Sequence, residues 1–349
     1  MLSRILSRLG FAVLVAVTAE VSKPTASPQQ LSGRAGTIAI VSKSAGALTV
    51  VDLAGQRTRQ IKVGYLPHEV AAAGSLVFVS NYGSAHVRSS DLTNVPGNTL
   101  SVIDLSRPED AAQTVDFGPG RCAPHGLAVS RDRRQLFITC EGRQEVLVLD
   151  VTSRHLLHAI ATNQAGSHML VLSGDGARAY VTNFWHGTVS VLDLRAKKIL
   201  AQIETGSGTE GIGLSPDDRH AYTSSVYINE IVKIDTGTLK VAARARMPNC
   251  LGAVRVVPTP VEGRTLVVNC ADNNRVLLVA ADTLTVTHEI PVGKQPIGIA
   301  VPEERVAYVA NMLDGTISVI DISRGVVSRT IPAGDDPDGI VFLPNVLPN

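Results

Sequence analysis

The sequence predicts an all-β fold, a seven-bladed β-propeller with four antiparallel strands per blade. Three observations predict it. An apolar strand ending in aspartate recurs seven times, two further apolar strands precede each copy, and the repeat begins on one strand of the unit and finishes on another. The strings ALTVVDL, TLSVIDL, EVLVLDV, TVSVLDL, EIVKIDT, RVLLVAAD and TISVIDI carry Asp52, Asp104, Asp150, Asp193, Asp235, Asp282 and Asp321, spaced 39 to 52 residues apart. Self-similarity at such a period marks a repeat architecture. A four-stranded sheet repeated radially protects its edges by closing into a ring.

Each strand of the unit has its own signature. The innermost, strand A, is introduced by Pro or Gly in most copies: PHEVAAA, PHGLAVS, SHMLVLS, TEGIGLS, LGAVRVV, PIGIAVP and PDGIVFL. Strand B reads IAIVSK, LVFVSN, LFITCE, AYVTNF, AYTSSV, LVVNCA and AYVANM. Short apolar runs bounded by Gly, Asn and Ser-Pro-Asp turns are strand signals. Strand C is the motif ending in aspartate, whose carboxylate is placed to accept backbone N–H groups in the following turn. Strand D, such as KILAQIETG or VVSRTIPAG, completes the unit. Asn81, Asn183, Asn269 and Asn311 end strand B and are read as turn caps. The chain enters the repeat on a strand B (Thr37 to Lys43) and leaves it on a strand A (Asp338 to Leu343), so the last strand is expected to complete the first blade. No window after the N-terminal segment sustains a 3.6-residue apolar period, which argues against helices.

The composition, 44% hydrophobic and 18% charged over 349 residues, is that of a chain with a large core. A net charge of +1 with no Lys or Arg block offers no footprint for nucleic acid or an anionic membrane. Residues 1–19 read as a signal peptide: Arg4 and Arg8, an apolar run from Phe11 to Val17, then small residues up to Ala19. That run is too short to span a bilayer. Residues 20–35 read as a disordered leader and 36–345 as the propeller. A periplasmic or secreted location follows, with no membrane contact once the signal is removed. In an oxidising compartment an even number of cysteines invites pairing. Cys122 and Cys140 hold the start of strand A and the end of strand B in one unit, and Cys250 and Cys270 hold the same places in another. Antiparallel neighbours bring such pairs within bridging reach, so bridges Cys122 to Cys140 and Cys250 to Cys270 are expected. Thiolate ligation of copper or zinc is the alternative.

The strands AYVTNF and AYVANM, each followed by VSVLDL or ISVIDI, resemble the YVTN family of β-propeller proteins, and the resemblance covers Thr37 to Pro344. Two units depart from the pattern, with TSSV and VVNC. The resemblance implies the propeller fold and a kinship by fold with lactonases, dehydrogenase subunits and surface-layer proteins. It does not imply one activity.

Residues shared by all units serve the fold; residues that differ at one repeat position are where function resides. The first residue of strand A lies at the mouth of the central channel, and there the units offer His68, His125, His168, Glu210, Leu251, Ile297 and Asp338. Imidazoles and carboxylates converging on an axis suit a divalent metal ion, with Zn, Cu, Fe, Mn and Ca all compatible. On this reading His68, His125, His168 and Glu210 hold the metal, and Asp338 is a fifth ligand or general base, with Glu210 and Asp338 as the catalytic carboxylates. A metal-free binding site and a solvated funnel are the alternatives. Loops between strands B and C open on the same face. One inserts AHVRSSDLTNVPG, with His86, Arg88 and Asp91 as its reactive members, and another carries Phe184, Trp185 and His186. His86, Arg88, Trp185 and Tyr227 are the candidate substrate contacts, with Glu141, Arg143 and Arg255 as weaker ones. No GxSxG, CxxCH, HExxH, Walker or GxGxxG motif is present, which argues against serine hydrolases, haem proteins, zincins and nucleotide-dependent enzymes. The expected function is a metal-dependent enzyme acting on a small molecule, of hydrolase or lactonase, lyase or isomerase type. The alternatives are a non-catalytic ligand- or metal-binding propeller and a subunit of a redox complex. The partner is a small molecule, and the sequence leaves room for a protein partner.

Overall fold

A computed structural model describes residues 36–54, 58–83, 96–107 and 111–344. The segments read as signal peptide and leader, and the insertion residues His86, Arg88 and Asp91, lie outside the described residues. Seven four-stranded antiparallel sheets make the seven blades. Blade 1 joins strand A from Pro337–Pro344 to strands B, C and D from Gly36–Ser42, Ala47–Asp52 and Thr58–Lys62. The last strand thus pairs with the first, Leu343 opposite Thr37 and Ile340 opposite Ile40, as the sequence predicts. Blades 2 to 7 follow in chain order, their A strands starting at Pro67, Pro124, Ser167, Thr209, Ala253 and Pro296. Each strand A touches the next around the whole ring.

The burial pattern explains the composition. In strand B of blade 7, Val306–Asn311, every residue is buried, whereas strand D of blade 5, Lys240–Arg246, alternates exposed and half-buried residues. Inner strands are covered on both faces by neighbouring blades; outer strands meet water on one. The core is a set of clusters between blades, such as Tyr180, Val189 and Val191 of blade 4 against Ala221, Val232 and Ile234 of blade 5. Each fully buried aliphatic side chain contributes about 1.5–3 kcal/mol.

The turn aspartates accept backbone N–H groups as expected: Asp150 from Thr152 and Ser153, Asp193 from Arg195 and Ala196, Asp235 from Thr238. Asp282 is out of phase. Strand C of blade 6 ends at Ala280, so Asp282 bonds only the adjacent N–H of Thr283. Of the asparagines, Asn81 accepts a backbone N–H of the bend before its strand A, that of Gly64. Asn183 donates to Thr188 and Ser190 of strand C, and Asn311 to Thr316 and Ser318, so these amides bind strand B to strand C inside the blade. Asn269 stands one residue earlier in strand B than the others, because Cys270 ends that strand. Both expected disulfides are present, with Cα atoms 4.8 Å apart for Cys122–Cys140 and 4.9 Å for Cys250–Cys270.

A candidate site at the mouth of the central channel

Strand pairing fixes which residues face the channel. The residue after the first paired position of strand A is His68, His125, His168, Glu210, Val254, Ile297 and Asp338 in successive blades from blade 2. Leu251 is not a member of this ring. Strand A of blade 6 begins at Ala253, opposite Cys270, and leaves Leu251 exposed in the loop before it. A relay of buried side chains locks the ring. Thr139 accepts the N–H of Gly126 in its own blade and donates to the carbonyl of His168 in the next. Thr182 does the same for Met169 and the carbonyl of Glu210, and Ser224 for Gly211 and the carbonyl of Val254. Asn269 takes this part in blade 6, accepting from Arg255 N–H and donating to the carbonyl of Ile297. Gly211 is required by the resulting approach, since a Cβ there would lie 2.5 Å from the Val254 carbonyl oxygen.

The three imidazoles stack in a row, His68 to His125 at 4.1 Å and His125 to His168 at 3.7 Å between ring centroids. Residues at or just after the end of strand B form a second ring around them, contributing Lys43, Tyr82, Glu141 and Phe184. Tyr82 meets the edges of His68 and His125 and donates from its hydroxyl to Glu141 at 2.8 Å. His168 lies between two carboxylates, with Nδ1 on Glu141 and Nε2 on Glu210 at 2.8 Å. Burial opposes its charge, but Glu210 and Glu141 together raise its pKa to about 10. His168 is therefore an imidazolium at neutral pH. Burial acts to raise the pKa of Glu210, and the His168 charge outweighs it and lowers the value.

His125 is the opposite case. It is 1% exposed, and neither ring nitrogen has a hydrogen-bond partner. Burial first, then the charges of His168 and His68, hold its pKa well below the ordinary imidazole value, so it is neutral. His68 Nδ1 stands 3.4 Å from Asp338 Oδ2 and 3.6 Å from Glu69 Oε1 without a hydrogen bond to either. Asp338 is fully buried and accepts from Lys43 Nζ at 3.1 Å. Burial raises its pKa, but His68, Lys43 and Arg255 prevail and lower it. Arg255 of blade 6 reaches over the channel to Glu69 of blade 2, a buried pair that floors the funnel. Above lies a cavity of about 300 Å³ lined by His68, His125, His168, Glu141, Glu210 and Tyr82 below and by Phe184, Trp185, Val226, Tyr227 and Asp272 at the rim.

The structure thus gathers His68, His125, His168, Glu210, Asp338, Trp185 and Tyr227 at one mouth, together with Glu141 and Arg255. Arg143 does not join them; its guanidinium binds Asn98 and the carbonyls of Phe117, Pro119 and Gly120, fastening a loop. His186 accepts the N–H of Ala165 and secures its own loop. Glu69, Tyr82 and Lys43 were not foreseen. Glu69 adjoins His68 in strand A, and Tyr82 and Lys43 share the repeat position of Glu141, so reading the repeat at those two further positions would have found them.

A profile of the family described as Cytochrome D1 heme domain matches residues 131–340, more than half of the chain. The chain belongs to the cytochrome D1 heme domain family. No curated protein sequence matches it. Among solved structures, this family member is similar to hydrazine synthase of Kuenenia stuttgartiensis, with TM-score 0.69, 18% identity, and coverage of 82% of this chain and 92% of that one. It is similar to the periplasmic gluconolactonase PpgL of Pseudomonas aeruginosa, with TM-score 0.70, 20% identity, and coverage of 88% and 99%. A virginiamycin B lyase from Staphylococcus aureus matches with TM-score 0.63, 12% identity, and coverage of 80% and 94%. At these identities the likeness is one of fold.

The family name implies a haem, and its match limits what the missing CxxCH motif can say, since that motif reports only covalent attachment. The side chains decide the question on chemistry. A haem needs an axial ligand with a reachable lone pair. In this cytochrome D1 heme domain family member both nitrogens of His168 bind carboxylates, and those of His125 are buried between two flanking imidazoles. As arranged, neither His168 nor His125 is placed to serve as an axial ligand, which leaves His68, part-exposed at the cavity, as the one imidazole of the three that could. A bare cation is different: ligand atoms of His68, Glu69 and His125, and of His125, Glu141 and His168, lie within 4.8 Å of one another. Glu210 belongs to neither set and serves as the second partner of His168.

Proposed function

We propose that this chain is an extracytoplasmic propeller enzyme that holds one divalent metal ion among His68, His125, His168, Glu69 and Glu141 and acts on a small oxygenated molecule at the channel mouth. The observation that carries it is His125, a neutral imidazole with two unbonded nitrogens, buried where carboxylates and two more imidazoles converge. An unsatisfied buried polar group is costly unless something binds it. Charge supports the same reading. Among the described residues, Glu69, Glu141, Glu210 and Asp338 face Lys43 and Arg255 as fixed cations, so a divalent ion in place of the His168 proton brings that set to neutrality. Such an ion supplies a Lewis acid that polarises a carbonyl. Asp338, buried between His68 and Lys43, supplies negative charge behind His68, and Trp185 and Tyr227 wall the substrate. Two disulfides and the periplasmic gluconolactonase among similar structures support the extracytoplasmic placement.

One observation favours a second reading, a metal-free binding funnel: protonated His168 already satisfies Glu141 and Glu210. Elemental analysis of untagged protein, purified without chelator, separates the two. The expected result is about one equivalent of metal, lost in His125→Ala with the fold retained. No uptake after dialysis against Zn, Mn, Fe(II), Cu or Ca overturns the metal reading. A haem absorption band in the purified protein overturns the reading of a bare metal ion.

A further inference from the structure

The rim of the funnel is built, on three consecutive blades, to hold the ligand's outer end. The residue two positions beyond strand B is Trp185 in blade 4, Tyr227 in blade 5 and Asp272 in blade 6, and all three line the cavity. Each lies over the residue that precedes strand A in its own blade, which is Gly166, Gly208 or Gly252. A Cβ on these glycines would stand 2.5 Å from Trp185 Cδ1, 2.6 Å from Tyr227 Cδ2 and 2.8 Å from Asp272 Oδ2.

A positive φ does not explain the three glycines. The same position has positive φ in all seven blades, and Leu66, Ala123, Gln295 and Asp336 adopt it in the other four. Glycine stands only where a rim side chain must lie flat across the backbone. Trp185, Tyr227 and Asp272 are therefore seated in place before a ligand arrives, which lowers the ordering cost of binding.

Their chemistry selects a ligand. Trp185 is 39% and Tyr227 49% exposed, so both present aromatic surface to the mouth. Among the described residues no lysine or arginine lines the cavity, and three carboxylates do. Glu141 and Glu210 are engaged by His168, whereas Asp272 has no cationic partner among the described residues. A divalent ion that neutralises the funnel leaves the charge of Asp272 unmatched by any described residue. Aromatic faces beside a lone carboxylate recognise an organic cation, through the ring quadrupole and direct charge attraction. We infer that the rim of blades 4 to 6 binds the ammonium end of a small organic cation, so that the substrate class is an amine-bearing or quaternary ammonium compound. This rests on reading the funnel as a small-molecule site and is independent of the metal.

The test uses three matched probes, benzyltrimethylammonium, benzyl alcohol and benzoate, titrated calorimetrically into metal-free and metal-supplemented full-length protein. The quaternary ammonium has no lone pair and cannot ligate a metal. Trp185 is the chain's only tryptophan, so its fluorescence locates binding at the rim. The expected result is that the ammonium binds about ten-fold more tightly than the alcohol and perturbs Trp185, with benzoate weakest. Asp272→Asn and Tyr227→Ala each weaken it by about five- to ten-fold, and Asp272→Asn, at an exposed position, leaves the fold intact. Alcohol or benzoate binding as tightly as the ammonium, no binding by any probe, or undiminished affinity in Asp272→Asn overturns the inference. Ammonium binding to a protein that takes up no metal leaves it standing and removes the metal reading alone.

Discussion

At the scale of single residues, the funnel separates two chemically identical side chains by environment. His125 is neutral because burial and two neighbouring imidazoles disfavour its charge, while His168 is charged because two carboxylates grip it. This difference has a measurable pH signature in metal-free protein. The folded pKa of His168, about 10, lies above the ordinary value of 6.5, so the folded state retains a proton that the unfolded chain loses. Its stabilising contribution is fully present below about pH 6.5 and is lost as pH rises through 10, at about 1.4 kcal/mol per unit within that window. Chemical denaturation at pH 7 and pH 9.5 should show the loss, and His168→Asn should flatten the profile; an unchanged slope in that variant would contradict the charge assigned to His168. The ring position of His68, His125, His168 and Glu210 was legible in the sequence because one repeat phase repeats one geometry. The difference in protonation between His125 and His168 was not, because it depends on the burial of His125 and on Glu141, which reaches His168 from the end of strand B in the preceding blade.

At the scale of strands, the relay of strand-B side chains gives a physical reason for the recurring polar residue in VTN, ITC and VNC. Thr139, Thr182, Ser224 and Asn269 each join two blades, and Thr139 and Thr182 hold the site residues His168 and Glu210. Thr182→Val keeps the shape and deletes the hydroxyl, stranding the carbonyl of Glu210 and the N–H of Met169. The expected cost is about 1–3 kcal/mol, read as a lowered denaturant midpoint. Strand boundaries were less legible than strand identity. Blade 6 misled the reading twice, placing Leu251 in the ring and Asp282 at the end of strand C, because its strand A starts late and its strand C ends early. Apolar runs such as RVLLVAAD do not mark their own ends. The cysteine pairs were easier, since antiparallel pairing brings the start of strand A against the end of strand B whatever the flanking residues. Removing Cys250–Cys270 by a double serine substitution should cost about 3 kcal/mol, the expectation for a loop of this length; a change below about 1 kcal/mol would mean that the bridge constrains little.

At the scale of the whole molecule, seven aspartate-ended strands and an out-of-phase start were enough to read the ring and the way it closes. Deleting residues 337–344 should yield aggregated protein without a cooperative unfolding transition, because strand B of blade 1 becomes an open edge; a monomer that still unfolds cooperatively would mean that the clasp is dispensable. The clasp also supplies Asp338, which meets Lys43 from the opening turn of the chain and His68 from the neighbouring blade. Through His68, one wall of the pocket leans on the strand that closes the ring. Whatever occupies the pocket touches blades 2 to 6 at once, so it binds the assembled ring in preference to the unfolded chain. Occupancy works as a lock on those blades, deepening with ligand concentration by mass action, so the protein is hardest to unfold when it is saturated.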